Sequence, residues 1–154
     1  MIEEIFLWLG RTAPGVALQQ STAAFAATEA LHILGLSLVG GVILVANLSV
    51  LGVVLKSTPS QSIFAQSRLL YVSALSVVAV SGLLLVAAGP YKYYTNPLFP
   101  VKLALLAIAA TLHAVLGRRL RRSHSIDSVS RWLAAASLVT WTAVVVAGRW
   151  LGLI

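Results

Sequence analysis

Apolar residues fall into four long runs separated by short polar connections. The first run covers Leu31 to Leu55 and extends backward through "STAAFAATEA". The second covers Leu69 to Ala88 and stops at Gly89-Pro90. The third follows Pro100, from Val101 to Gly117, interrupted by Lys102 and His113. The fourth covers Trp132 to Gly148. A bilayer core of roughly 30 Å takes about 20 helical residues, so each run predicts a crossing. Short connections make consecutive crossings antiparallel neighbours. The expected fold is all-α: a transmembrane four-helix bundle forming one integral membrane domain over residues 1–154, with helices at about 22–55, 69–88, 101–117 and 132–150. Ser37 and Gly41, Ala107 and Thr111, Ala110 and Ala114, and Ala143 and Ala147 are each four apart, a spacing that lets helix backbones approach.

Ahead of the first run, "MIEEIFLWLG" places Ile2, Ile5, Phe6 and Leu9 at i, i+3, i+4 and i+7. That period predicts a short amphipathic helix lying at the membrane surface, with a frayed end as the plainer alternative. Two acids at its start argue against a cleaved signal peptide.

Composition agrees with a membrane protein. Of 154 residues, 59% are hydrophobic and 10% charged, against about 25% charged in soluble domains. The net charge of +7 is concentrated between the apolar runs. This is the pattern of membrane orientation, and no nucleic-acid partner is expected. The connections after the first and third runs hold Lys56, Arg68, Arg118, Arg119, Arg121, Arg122 and Arg131, seven in all. The opposite side holds Arg11, Lys92, Lys102 and Arg149, four in all. Positive-inside then puts "RRLRRSH" in the cytoplasm and both termini outside. "RRLRR" is also a candidate for acidic headgroups. His124 reads as a solvated loop residue, and "GPYKYYTNPLFP" as an interfacial connection. With no cysteine there is no thiolate metal site and no covalent haem attachment.

Few ionisable groups enter the apolar runs: Glu29, His32, Lys102 and His113. Such groups are costly in a membrane and are functional hypotheses by default. Glu29 and His32 share one face of the first helix. Lys102 and His113, eleven residues apart, share a stripe of the third. If the two stripes face each other, a polar seam runs inside the bundle. One reading is a b-type haem with His32 and His113 as axial ligands, Gly40 and Gly41 making room for the macrocycle, and Glu29 and Lys102 supporting the propionates or an imidazole. It requires both histidines at one depth. If Glu29 lies level with Lys102, His113 is about 16 Å below that level, and the two charges form an ion pair instead. A bare metal or proton path is a third reading, weakened by the lack of carboxylate clusters.

Two stretches, "ATEALHILGLSLVGGVILVANLSVLG" and "KYYTNPLFPVKLALLAIAATLH", resemble a bacterial family of small four-helix membrane proteins of unknown function. That family tends to carry an acid and an Arg where Asn47 and Ser49 stand here. "ALHI", and "VKL" followed by His113, are similar to HemJ-type protoporphyrinogen oxidases and the CopD copper-resistance membrane domain. The HemJ likeness implies haem binding, with the family's His and Lys falling on His32 and Lys102 and a further His near His113. The Arg and the Tyr-His pair that follow in HemJ have no counterpart in "NLSVLGVVLK".

The expectation is a multi-pass protein of the bacterial inner membrane that binds haem b through His32 and His113 and works in membrane electron transfer, with a quinone or membrane redox partner. No catalytic residue is assigned. The contrasting expectation is a cofactor-free subunit of a homo-oligomer or larger membrane complex.

Overall fold

The computed structural model of the chain describes residues 2–123 and 125–153. His124 and its loop role lie outside the described residues, as does the Ile2 side chain. The described residues form seven helices and no strand: α1 (Ile2–Arg11), α2 (Ala13–Gln20), α3 (Thr22–Val50), α4 (Ser60–Ala88), α5 (Pro90–Thr95), α6 (Leu98–Arg122) and α7 (Ser128–Leu153). Four of them, α3, α4, α6 and α7, are long and apolar enough to cross a membrane.

Two helix boundaries differ from hydropathy, for local reasons. α3 ends at Val50, not near Leu55. The Leu51 amide bonds back to the Asn47 carbonyl, and Gly52 follows with φ +74. That left-handed turn is accessible to glycine at little cost and breaks the helix while the sequence is still apolar. α4 begins at Ser60, nine residues before its apolar run, because "SQSIFAQSR" is polar but helix-compatible. Thr12 and Ser21 cap α2 and α3 through their side chains, accepting from Gly15 and Ala24 amides.

α1 does pack as an amphipathic element. Phe6 turns inward onto Phe99 (5.7 Å between ring centroids) and Tyr94 (6.2 Å), while Ile5 and Trp8 stay exposed. A second short helix, α2, follows it and was not signalled by the pattern. Gln19 of α2 donates to the carbonyls of Gly10 and Ala87 at 3.0 Å, fastening α1 and α2 to the end of α4.

The bundle is two tight hairpins, α3–α4 and α6–α7, joined by smaller α3–α7 and α4–α6 interfaces. α3 and α6 share no comparable interface, so they stand diagonally across the bundle. Two buried apolar layers fill it. One contains Val39, Ile43, Ala74, Val78, Ala109, Trp141 and Val144. The other contains Ala46, Val50, Phe64, Leu116, Leu120 and Ala134.

The expected small-residue pairs are mostly not the close contacts. Ser37, Gly41, Ala107 and Thr111 are exposed. The tight approach is at Gly35, where an added Cβ would lie 2.9 Å from Val78 Cγ2. Periodicity reports which residues share a face but not which face meets a neighbour.

A polar level at one end of the bundle and a second one deeper

α4 serves as a ruler for depth, because both intramembrane histidines touch it. His32 on α3 meets Ser81: His32 Nδ1 lies 2.9 Å from Ser81 Oγ. His113 on α6 stacks between Tyr71 (4.4 Å) and Phe64 (5.0 Å). Tyr71 and Phe64 precede Ser81 by ten and seventeen residues. At 1.5 Å per residue, the two histidines are therefore about 15 to 25 Å apart along the bundle. Two axial imidazole nitrogens must lie on the order of 4 Å apart, twice a metal–imidazole bond. The structure does not bring His32 and His113 together, and one porphyrin cannot use both. The apolar layer around Val39, Val78 and Trp141 fills the space between them.

His32, Lys102 and Glu29 do come together at one level. Lys102 and Glu29 both lie within electrostatic reach of His32. Glu29 also acts on Tyr93 of α5, whose phenol is pushed up first by burial and then by that carboxylate. This level lies at the α5 end of the bundle. It is the arrangement in which Glu29 is level with Lys102 and His113 is about 16 Å deeper. The expected ion pair does not form, however: neither Glu29 nor Lys102 has an oppositely charged side chain within 4 Å among the described residues. Glu29 is exposed and Lys102 is half-buried.

Two glycines shape this level. A Cβ on Gly82 would lie 3.2 Å from His32 Cε1, so the imidazole rests on bare α4 backbone. A Cβ on Gly148 would lie 3.4 Å from Lys102 Cε and 3.5 Å from Nζ, so the lysine lies over bare α7 backbone. Each charged or titratable group thus leans on the partner within its own hairpin. Gly40 and Gly41, expected to make room for a macrocycle, do not: nothing lies within 4 Å of a Cβ at either. They open to the outside of the bundle.

Hydrogen bonding fixes the His32 tautomer. Ser81 has one hydroxyl proton, and its Oγ is 2.6 Å from the Val77 carbonyl, which can only accept. Ser81 therefore accepts from His32, whose Nδ1 carries the proton. Nε2 keeps its lone pair. A neutral imidazole with Nδ1–H anchored and Nε2 open is the form that ligates metals.

Polar groups deeper in the bundle have a different character. Asn47, His113 and Trp141 are buried, and Tyr71 is largely so. Asn47 Oδ1, Tyr71 OH, His113 Nδ1 and Trp141 Nε1 have no hydrogen-bond partner among the described residues. They come one from each of the four spanning helices. The Asn47 amide donates to the Ile43 carbonyl (2.8 Å) and to Ser137 Oγ (3.3 Å), tying α3 to α7. Tyr71, Ser81, Gly82, Ser137 and Trp141 carry no signal in the sequence, since serines, glycines and single aromatics are ordinary in membrane helices. No group of three or more potential metal ligands exists among the described residues, so a metal site of protein ligands alone has no set to form it.

Residues 3–154 match a family described only as a family of unknown function, DUF6644. The chain belongs to that family. No curated protein and no solved structure matches it. The match agrees with the expected membership of a family of unknown function.

Proposed function

We propose that this family member is an integral membrane b-type haem protein of the electron-transfer class, with the iron at the His32 level. The observation that carries the reading is the anchored His32 tautomer, which leaves Nε2 as an open donor inside a membrane-spanning bundle. Lys102 stands at the same level on the other hairpin. It would help hold the haem, as a second ligand or beside a propionate, and Glu29 would be a supporting charge near the surface. His113 lies too deep to share a haem with His32. Haem, when bound, supplies reversible one-electron transfer. The chain's own contribution is to orient the imidazole through Ser81 and to keep both approaching side chains against glycine. We place the protein in the bacterial inner membrane. Positive-inside puts the basic α3–α4 and α6–α7 connections in the cytoplasm, so that the His32 level faces outside, where a quinone or membrane redox partner would exchange electrons.

A second reading has its own observation. The apolar layers above and below His113 are filled, and His113 itself packs as an aromatic ring between Phe64 and Tyr71. That is how a cofactor-free subunit of a homo-oligomer or larger complex would be built. The visible spectrum of protein purified from haem-replete cells separates the two: a Soret band with reduced α and β bands supports haem, and a colourless protein rejects it.

A further inference from the structure

The end of the bundle opposite His32 carries an open groove with two basic residues in its lining. This groove, of about 560 Å³, lies where the α3–α4 connection meets the start of α7. Lys56 and Arg131 line it from two sides, and neither makes an ion pair among the described residues. The N-terminus of α4 opens into the same groove. Pro59 is its N-cap, so there is no side-chain cap. The amides of Ser62 and Ile63 return to the Pro59 carbonyl, leaving those of Ser60 and Gln61 without an acceptor among the described residues. Such amides, with the positive end of a 29-residue helix behind them, favour an anion. Ser60 supplies a separate indication. It lines the groove, is only 4% exposed, and makes no side-chain hydrogen bond among the described residues.

The charge around the groove agrees. Asp127 is the only one of the chain's four acids at this end. It is already engaged by the Arg119 guanidinium, the Ser130 amide and the Ser130 hydroxyl. A second groove, of about 490 Å³, shares Pro59 and Gln61 and brings Arg121 to the other side of the same helix start.

We propose that this groove binds the phosphate of an acidic phospholipid, its oxygens taken by the Ser60 and Gln61 amides and the Ser60 hydroxyl, its charge by Lys56 and Arg131. Two cations and a helix N-terminus suit a phosphodiester anion. Membrane-spanning helices on either side put the groove at the depth where lipid headgroups lie. A free phosphate ion offers the same oxygens, so the source must be separated by experiment.

The test uses the full chain in detergent, delipidated and then offered phosphatidylglycerol or phosphatidylcholine, with retained lipid counted by native mass spectrometry. The wild type is expected to prefer phosphatidylglycerol, and Lys56→Gln with Arg131→Gln to lower that preference by roughly tenfold or more. Each single substitution should lose part of it. Arg118→Gln removes an equally exposed cation outside both grooves and should leave the preference intact. Equal retention of the two lipids overturns the proposal. So does an unchanged preference in the double variant, or an equal loss in Arg118→Gln, which would mean a diffuse basic surface. Displacement of phosphatidylglycerol by millimolar inorganic phosphate would reassign the groove to free phosphate and overturn the lipid assignment. If the double variant does not fold, as judged by its helical circular dichroism, the two single variants carry the same comparison.

Discussion

His32 and Ser81 set each other's protons. Ser81 gives its only proton to the Val77 carbonyl at 2.6 Å and receives one from His32 Nδ1 at 2.9 Å. The imidazole is thereby held in one tautomer with Nε2 open. Ser81→Ala removes the acceptor and should cost about 1 kcal/mol of thermal stability. Any haem carried by His32 should bind about tenfold more weakly or worse. Nitrogen-15 NMR of the imidazole should show a mixed tautomer in place of Nδ1–H alone. A single unchanged tautomer in Ser81→Ala would contradict the assignment.

Glycines along α3 should respond oppositely to the same substitution. At Gly35 an added methyl meets Val78 Cγ2 at 2.9 Å and Val77 Cγ1 at 3.3 Å. Gly35→Ala should therefore destabilise the α3–α4 hairpin by about 1–3 kcal/mol. At Gly40 and Gly41 the methyl meets nothing. Gly40→Ala and Gly41→Ala should be neutral or stabilising by up to about 1 kcal/mol, the ordinary helix preference of alanine. Thermal melts in one detergent compare the three.

The deeper polar level separates packing from ligation. His113→Phe keeps a ring between Phe64 and Tyr71 and removes the unpartnered Nδ1. Its melting point should stay near wild type, because removing a buried unsatisfied group offsets imperfect fit. His113→Ala leaves a cavity there and should cost on the order of 2 kcal/mol or more. If His113→Phe is as damaging as His113→Ala, the nitrogen does something that packing does not.

At the other end, Asp127 caps α7, accepting from the Ser130 amide at 3.0 Å and the Ser130 hydroxyl at 2.7 Å. Its hydrogen bond with Arg119, followed by those with Ser130, holds the carboxyl well below the usual carboxylate range. A depressed value means that the stabilisation is complete above the unfolded carboxylate value of about 3.9 and is lost as pH falls through the lower folded one. Asp127→Ala should melt below wild type by a constant margin from neutral pH down to about pH 4, and the margin should shrink only in stronger acid. A margin that closes between pH 7 and pH 5 would point to another group.

Hydropathy alone yields the four spans, because a membrane helix is recognised by what it lacks. The polar start of α4 and the turn at Gly52 escape it, since both depend on backbone conformation and not on apolarity. Glu29, His32 and Lys102 stand out in sequence as ionisable groups in apolar surroundings, and the structure gathers these three at one level. His113 stands out for the same reason and is about 16 Å deeper. Its shared stripe with Lys102 gave direction around the helix but not depth relative to α3. The partners that decide the chemistry, Ser81 and Gly82 on α4 and Gly148 on α7, are common membrane-helix residues. Only the pairing of helices makes them specific, and that pairing puts α3 and α6 on a diagonal.

The most direct measurement is the visible spectrum of the wild type beside His32→Ala, Lys102→Ala and His113→Phe, each purified from haem-replete cells and confirmed as folded by circular dichroism. A Soret band in the wild type should be lost in His32→Ala, shifted or weakened in Lys102→Ala, and kept in His113→Phe. Loss in both His32→Ala and His113→Phe would contradict the separation of the two histidines, and a colourless wild type would contradict haem binding itself.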